Sequence, residues 1–152
     1  MAQTGRVFFA TTDKDVDFTG ALAQNAAATA SIAVPQMPSS SQVRLNNIEI
    51  ISDQNLAWEV WLWATSSFNN NASDLDAVYP YGRWAFTAAD GVQIAGTGPW
   101  YYFISGLGVP YQDGQNLSKL NVMLVNRSAT SKNAGASGEI VIKFALEPAL
   151  GF

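Results

Sequence analysis

Ten residues decide the fold, Leu56-Ala57-Trp58-Glu59-Val60-Trp61-Leu62-Trp63-Ala64-Thr65, because as a strand they are apolar on both faces. Successive side chains of a strand point to opposite sides. The even-numbered side chains therefore share one face, whereas Glu59, Trp61 and Trp63 share the other. A small antiparallel sheet usually shows one of its faces to water. The second face of this strand needs a cover, which is a loop of the same chain, a second subunit or a stacked ligand such as a sugar.

Further β signals recur along the chain and point to one fold class. Apolar or alternating runs occupy residues 43–51, 84–86, 100–104, 120–125 and 139–146. The tetrad Ser52-Asp53-Gln54-Asn55 separates two β-rich runs, which predicts a hairpin. No segment shows sustained helical periodicity. About eight short strands without helices predict an all-β fold, an antiparallel β-sandwich of the jelly-roll type.

The N-terminal part of the chain differs in composition from the remainder. Residues 1–42 are rich in Ala, Ser, Thr and Gln, and they predict an extended arm whose short strands pack on a sandwich formed by residues 43–152. Residues 26–30 have some helical propensity, but Ile32, Val34 and Pro35 follow at once and favour an extended strand. Residues 66–83 are a predicted long loop. We expect one structural domain overall.

The charge content indicates which partners this chain has. Only 13% of the 152 residues are charged, about half of the roughly 25% that is typical of globular domains. A charge-poor surface does little to prevent folded proteins from associating, which favours a protein that works as part of an assembly. The net charge of −4 argues against nucleic-acid binding. No apolar run is long enough for a membrane span or a signal peptide, so we expect no membrane partner and synthesis in the cytoplasm.

The sequence contains no pattern of residues that indicates catalysis. It contains no histidine and no cysteine, which are the commonest general base and the thiol nucleophile. The segment 13–17 alternates aspartates like the start of a calcium loop, but Phe18 and Gln24 stand where that loop needs Gly and Glu. A strand with three acids on its wet face explains the pattern equally well. Carboxylates for glycoside hydrolysis are available, but their spacing selects no pair; they are Asp53, Glu59, Asp74, Asp76, Asp113 and Glu139. We predict no catalytic residue, no cofactor and no metal.

The aromatic residues carry the sharpest remaining signal, and three interpretations of them stay open. Trp58 and some of the face of Tyr101 and Phe103 are best explained as core. A subunit or partner interface is predicted for a second set, which is Trp61, Trp63, Tyr102, Ile104, Phe8 and Phe9. A sugar-stacking platform is the alternative, with the residues Tyr79, Tyr81 and Trp84. The low charge density favours the interface.

Taken together, these features resemble the decoration (cement, or auxiliary) proteins of tailed-bacteriophage capsids. The resemblance spans the chain and lies in its small, charge-poor β character, its Ala/Ser/Thr-rich arm and its closing pattern Gly138-Glu139-Ile140-Val141-Ile142-Lys143-Phe144-Ala145-Leu146-Glu147-Pro148. It implies a homotrimer on the capsid exterior that binds the major capsid protein and stabilises the shell, after synthesis in the host cytoplasm. The arm would attach by strand addition, and the aromatic sheet face would form the trimer contact. A lectin-like carbohydrate-binding module, or a tail or receptor-binding module, is the alternative.

Overall fold

The computed structural model describes residues 7–34, 42–64, 81–115 and 117–148. These residues form nine strands and two short 3₁₀ helices at Ala88–Asp90 and Gly135–Gly138. The strands are β1 (Phe8–Thr11), β2 (Ala27–Ala33), β3 (Val43–Ser52), β4 (Trp58–Trp63), β5 (Gly82–Phe86), β6 (Trp100–Ile104), β7 (Val109–Tyr111), β8 (Lys119–Asn126) and β9 (Ile140–Pro148).

The strands make two antiparallel sheets that pack face to face. The first sheet has the order β1-β9-β3-β6, with β7 also paired to β3, and the second has the order β2-β8-β4-β5. Pairing is nested along the chain, since β1 pairs with β9, β2 with β8, β3 with β6 and β4 with β5. A long hairpin that is rolled up on itself gives this order, which defines a jelly roll. The predicted all-β, jelly-roll-like sandwich is confirmed.

The predicted hairpin at residues 52–55 is wrong, because the two strands that flank it lie in different sheets. The turn itself is present, and the Ser52 hydroxyl is bonded to both the backbone N–H and the carbonyl of Gln54. Leu56 then enters the core, where it is 5% exposed. The polar tetrad therefore carries the chain from the first sheet to the second.

Strands β6 and β7 lie end to end along the same side of β3. Strand β6 pairs with residues 48–52 of β3, and β7 pairs with residues 43–45. Opposite the gap, the register between β3 and β9 shifts from Leu45 to Asn47, and Asn46 accepts a hydrogen bond from the Leu107 N–H. Gly106 and Gly108 have φ values of 70° and 64°, which suit glycine at this break.

The N-terminal region supplies an edge strand to each sheet. Strand β1 pairs with β9, and β2 pairs with β8. The extended conformation predicted after residue 26 is confirmed by β2. Residues 13–17 form a turn rather than the predicted strand, because the Asp17 carboxylate accepts from the Asp13 N–H and the Asp13 carboxylate accepts from the Asp15 N–H. The domain division at residue 42 stays a prediction.

The space between the sheets is an apolar core that contains a buried polar network around Tyr111. Trp58, Ile50 and Phe144 are fully buried there. The Tyr111 hydroxyl lies 2.8 Å from the Lys119 carbonyl and 3.0 Å from the Trp63 carbonyl, and it accepts from the backbone and side-chain N–H groups of Asn121. Burial raises the pKa of Tyr111, so its hydroxyl stays neutral and keeps this network connected.

Candidate docking surface

Strand β4 is buried on both faces, and the chain itself covers the second face. Trp61 and Trp63 are only 3% and 5% exposed, and they form a small cluster with Met123 and Val125. Their rings stack with centroids 5.8 Å apart. The sequence left three possible covers for this face, and in the structure the face is covered by other residues of the same chain. This burial argues against a contact between protomers through the two tryptophans.

An ion-pair cluster around the buried Glu59 carboxylate borders the two tryptophans. The Glu59 carboxylate is 2.7 Å from Nε of Arg127 and 3.1 Å from Nε of Arg83, and it accepts a 2.8 Å bond from the Trp61 indole. The Arg83 guanidinium also lies 5.4 Å from the centre of the Trp61 ring. Both carboxylate oxygens of Glu59 therefore help to hold the outer side of the second sheet together. We assign this cluster a structural role.

Strand β6 turns Tyr102 toward the core and Phe103 toward solvent, which is the reverse of the prediction. Tyr102 is fully buried, and its hydroxyl lies 2.6 Å from Asn55 Oδ1 and 3.0 Å from the Leu56 carbonyl. Ile104 is half-buried against the core, whereas Phe103 is 61% exposed. The assignment of Phe103 to the core is thus wrong, and Tyr101 is half-buried. Tyr102, predicted at an interface, lies in the core because it stands opposite the inward-facing Ile50.

The remaining predicted residues divide between core and surface. Phe8 packs against the core, and its neighbour Phe9 is 56% exposed. In the alternative platform, Trp84 packs against the core, and Tyr81 is exposed beside the Tyr111 ring, at 5.0 Å between centroids. Tyr79 lies outside the described residues. The alternative platform stays a prediction.

Two exposed aromatic side chains, Phe9 and Phe103, lie on the outer face of the first sheet. Strand register sets Lys143 beside Glu49 and Glu49 beside Phe103, while Phe9 stands beside Ala145 one row away. These residues line a shallow hollow of about 50 Å³ together with Asn47. We call this hollow the trough. Its walls are Phe9 on β1 and Phe103 on β6, the two outer strands, and its floor is the central pair β9 and β3.

The trough contains one acidic and one basic group that are not paired with each other. The Lys143 ammonium lies over the Phe9 ring, 4.5 Å from its centre. Within the described residues, Glu49 forms no ion pair and no side-chain hydrogen bond. Along the same two strands, Val141 and Ile51 stand side by side and are half-buried. The outer face thus combines apolar surface with an unused carboxylate.

Beside the trough, strand β1 has an open edge. The Thr12 N–H donates to the Ile142 carbonyl of β9, so the alternating pattern of an antiparallel ladder turns the backbone groups of Phe9 and Thr11 away from β9. In the part of the chain that the structure describes, no strand pairs with that edge. An open edge is a template for a strand from another chain.

The buried charged residues outside the trough hold loops in place. The Asp113 carboxylate accepts from three backbone N–H groups, those of residues 115, 117 and 119. The Lys132 ammonium donates to the carbonyls of Gly20 and Asn133, and burial lowers its pKa. Asp74 and Asp76 lie outside the described residues.

A second hollow of about 180 Å³ adjoins the outer face near Ile51 and Val141. Its rim carries an exposed ion pair, in which the Lys14 ammonium lies 3.3 Å from the Glu139 carboxylate. Among the described residues, no three carboxylates come together as a metal site. The described part also contains no helix that is long and apolar enough to cross a membrane.

The strand order defines a jelly-roll β-sandwich, and comparisons with known proteins add little to this. No protein-family model and no curated protein matches the chain. Among solved structures, the tobacco streak virus coat protein matches with a TM-score of 0.36 and 9% identity, over 96% of this chain and 89% of that one. A structure of infectious bursal disease virus Gx strain matches with a TM-score of 0.40 and 12% identity, over 98% of this chain and 33% of that one. Scores this low carry no argument about function.

Proposed function

We propose that this chain is a non-enzymatic structural protein of a virion, a decoration protein that binds the outside of a phage shell and stabilises contacts between major capsid proteins. The observation that carries the proposal is the open edge of β1 on a charge-poor jelly roll, next to an exposed apolar sheet face. Strand addition at this edge needs backbone groups only, and neighbouring side chains would give it specificity.

The structure changes the way in which the predicted arm would act. Residues 8–11 belong to the first sheet, and Ala10 and Phe18 are buried. A deletion of residues 1–20 would therefore remove an integral strand rather than a free arm. The shell contact is better placed at the open edge of β1. The trimer implied by the resemblance stays a prediction, and so does the location on the capsid exterior.

The test uses shells assembled from the major capsid protein that the same genome encodes. The wild type is mixed with these shells, and bound protein is counted after sedimentation. Thr11→Pro removes an N–H that faces away from β9, so we expect the ladder to survive and shell binding to fall. Thr29→Pro is the matched control, because by the same alternation its N–H faces away from β8 at the edge of the second sheet.

Each outcome bears on a separate part of the proposal. Binding that is lost in Thr11→Pro and kept in Thr29→Pro supports attachment through β1. Equal binding by both variants overturns the role of this edge, and a wild type that never sediments with shells overturns the decoration function. Binding to a glycan array that is lost in Tyr81→Ala would instead support the lectin-like alternative.

A further inference from the structure

We infer that the outer face of the first sheet is a self-complementary surface that docks onto the same face of a second copy of this chain. The central strands of this sheet are β9 and β3 in the order β1-β9-β3-β6. A two-fold axis parallel to the strands, midway between β9 and β3, would place each of them over the other strand of the second copy. This is the aligned face-to-face packing that β-sheets adopt at about 10 Å.

The charges of the trough fit this arrangement. Lys143 and Glu49 are Cα partners on the two central strands, so they stand on opposite sides of the axis. The rotation brings Lys143 over the partner's Glu49 and brings Glu49 over the partner's Lys143. Two intermolecular ion pairs form from groups that have no ion pair within the described chain. An isologous contact requires this reciprocity.

The apolar residues obey the same symmetry. Val141 on β9 and Ile51 on β3 are also Cα partners, so each lies over the other residue of the second copy. The exposed rings of Phe9 and Phe103 stand on the two outer strands, and the rotation brings one side of the trough over the other. Both large exposed apolar groups of this face would lose contact with water.

The size of the face limits the strength of the contact. Four strands about 4.8 Å apart and about five residues at about 3.4 Å each give a footprint of roughly 300 Å². A standard interface buries about 800 Å² of accessible surface per partner. We therefore expect reversible, concentration-dependent dimers. The inference is independent of shell binding, since it concerns the protein alone in solution, and it predicts a dimer in place of the trimer that the resemblance implies.

The experiment is sedimentation velocity of the full chain from about 10 µM to about 1 mM, a range that covers the affinities of small interfaces. The wild type should shift from 16.3 kDa to twice that mass as its concentration rises. Glu49→Lys and Lys143→Glu should each weaken self-association about tenfold or more, because like charges then meet across the axis. An equimolar mixture of the two variants should restore the association.

The mixture separates an intermolecular pair from an intramolecular one. Each variant also places like charges on adjacent strands of its own chain, so circular dichroism must first show that both are folded. Phe103→Ser gives a second test without a charge change, and Leu117→Ser is its control, since the two side chains are 61% and 57% exposed. A wild type that stays monomeric or forms trimers, a mixture of folded variants that fails to associate, or equal effects of the two serine variants would overturn the inference.

Discussion

Replacing Tyr111 with phenylalanine removes one hydroxyl from the centre of the sandwich and leaves the aromatic ring in place. The ring is fully buried, and its hydroxyl donates to a backbone carbonyl while accepting from the backbone N–H of Asn121 at 3.2 Å. The Asn121 side chain keeps a second partner, the Trp63 carbonyl at 3.2 Å. The variant therefore loses one donated bond and removes an acceptor from the backbone N–H and from the side-chain amide of Asn121.

The lost hydrogen bonds determine how much the free energy of unfolding should fall. A buried donor without a partner costs about 1–3 kcal/mol, and a lost hydrogen bond costs about 1 kcal/mol. We expect the free energy of unfolding of Tyr111→Phe to fall by about 2–4 kcal/mol. In a domain of this length the corresponding drop in Tm is about 5–15 °C. Denaturant titration followed by tryptophan fluorescence measures the first quantity, and thermal circular dichroism measures the second.

The control is Tyr101→Phe, because Tyr101 is half-exposed on the outer face of the same sheet. Its free energy of unfolding should change by less than about 0.5 kcal/mol. If Tyr111→Phe loses less than about 1 kcal/mol, or no more than the control, the network does not carry the stability assigned to it.

The same hydroxyl gives a pH dependence of known sign. Burial raises the pKa of Tyr111 above its ordinary value of 10.0. Above pH 10 the unfolded chain has released this proton while the folded chain keeps it, so the free energy of unfolding falls as the pH rises. The decline should be shallower in Tyr111→Phe, and an identical decline in both proteins would contradict the assignment.

Two further substitutions test loop packing and the ion-pair cluster. Gly138→Ala would place a Cβ against the backbone of Asn133, so we expect a loss of at least about 2 kcal/mol in denaturant titration, whereas Gly20→Ala has open space and should be nearly neutral. Glu59→Gln removes the charge that two arginines contact, and we expect a loss of about 1 kcal/mol that shrinks at high salt. Glu147→Gln affects only a looser surface pair at 3.5 Å, so equal losses in the two glutamine variants would count against the cluster.

Local alternation in the sequence was enough to predict most of the strands and the two faces of β4, but it missed β7 and placed the start of β5 in a loop. Trp58 lies in the core between the sheets, and Trp61 lies in the second cluster, as the period of two requires. The same rule gave the wrong face for β6, because Trp100-Tyr101-Tyr102-Phe103-Ile104 is apolar at every position. In such a run the alternation of side chains does not show which of the two faces is buried. The buried face is decided by the pairing of Tyr102 with Ile50, which cannot be deduced from the sequence of β6 alone.

Turn residues show where the chain changes direction but not which sheet it enters next. Ser52 begins a real turn, yet β4 continues in the second sheet because Leu56 and Trp58 bury their side chains between the two layers. The same limit applies to the trough. Phe9, Glu49, Phe103 and Lys143 come from four distant segments, and none of them lies in an unusual local pattern. Only the strand order β1-β9-β3-β6 brings them together. A surface of this kind can therefore be predicted only when the strand order and register are known, and the positions of the strands in the sequence are not enough.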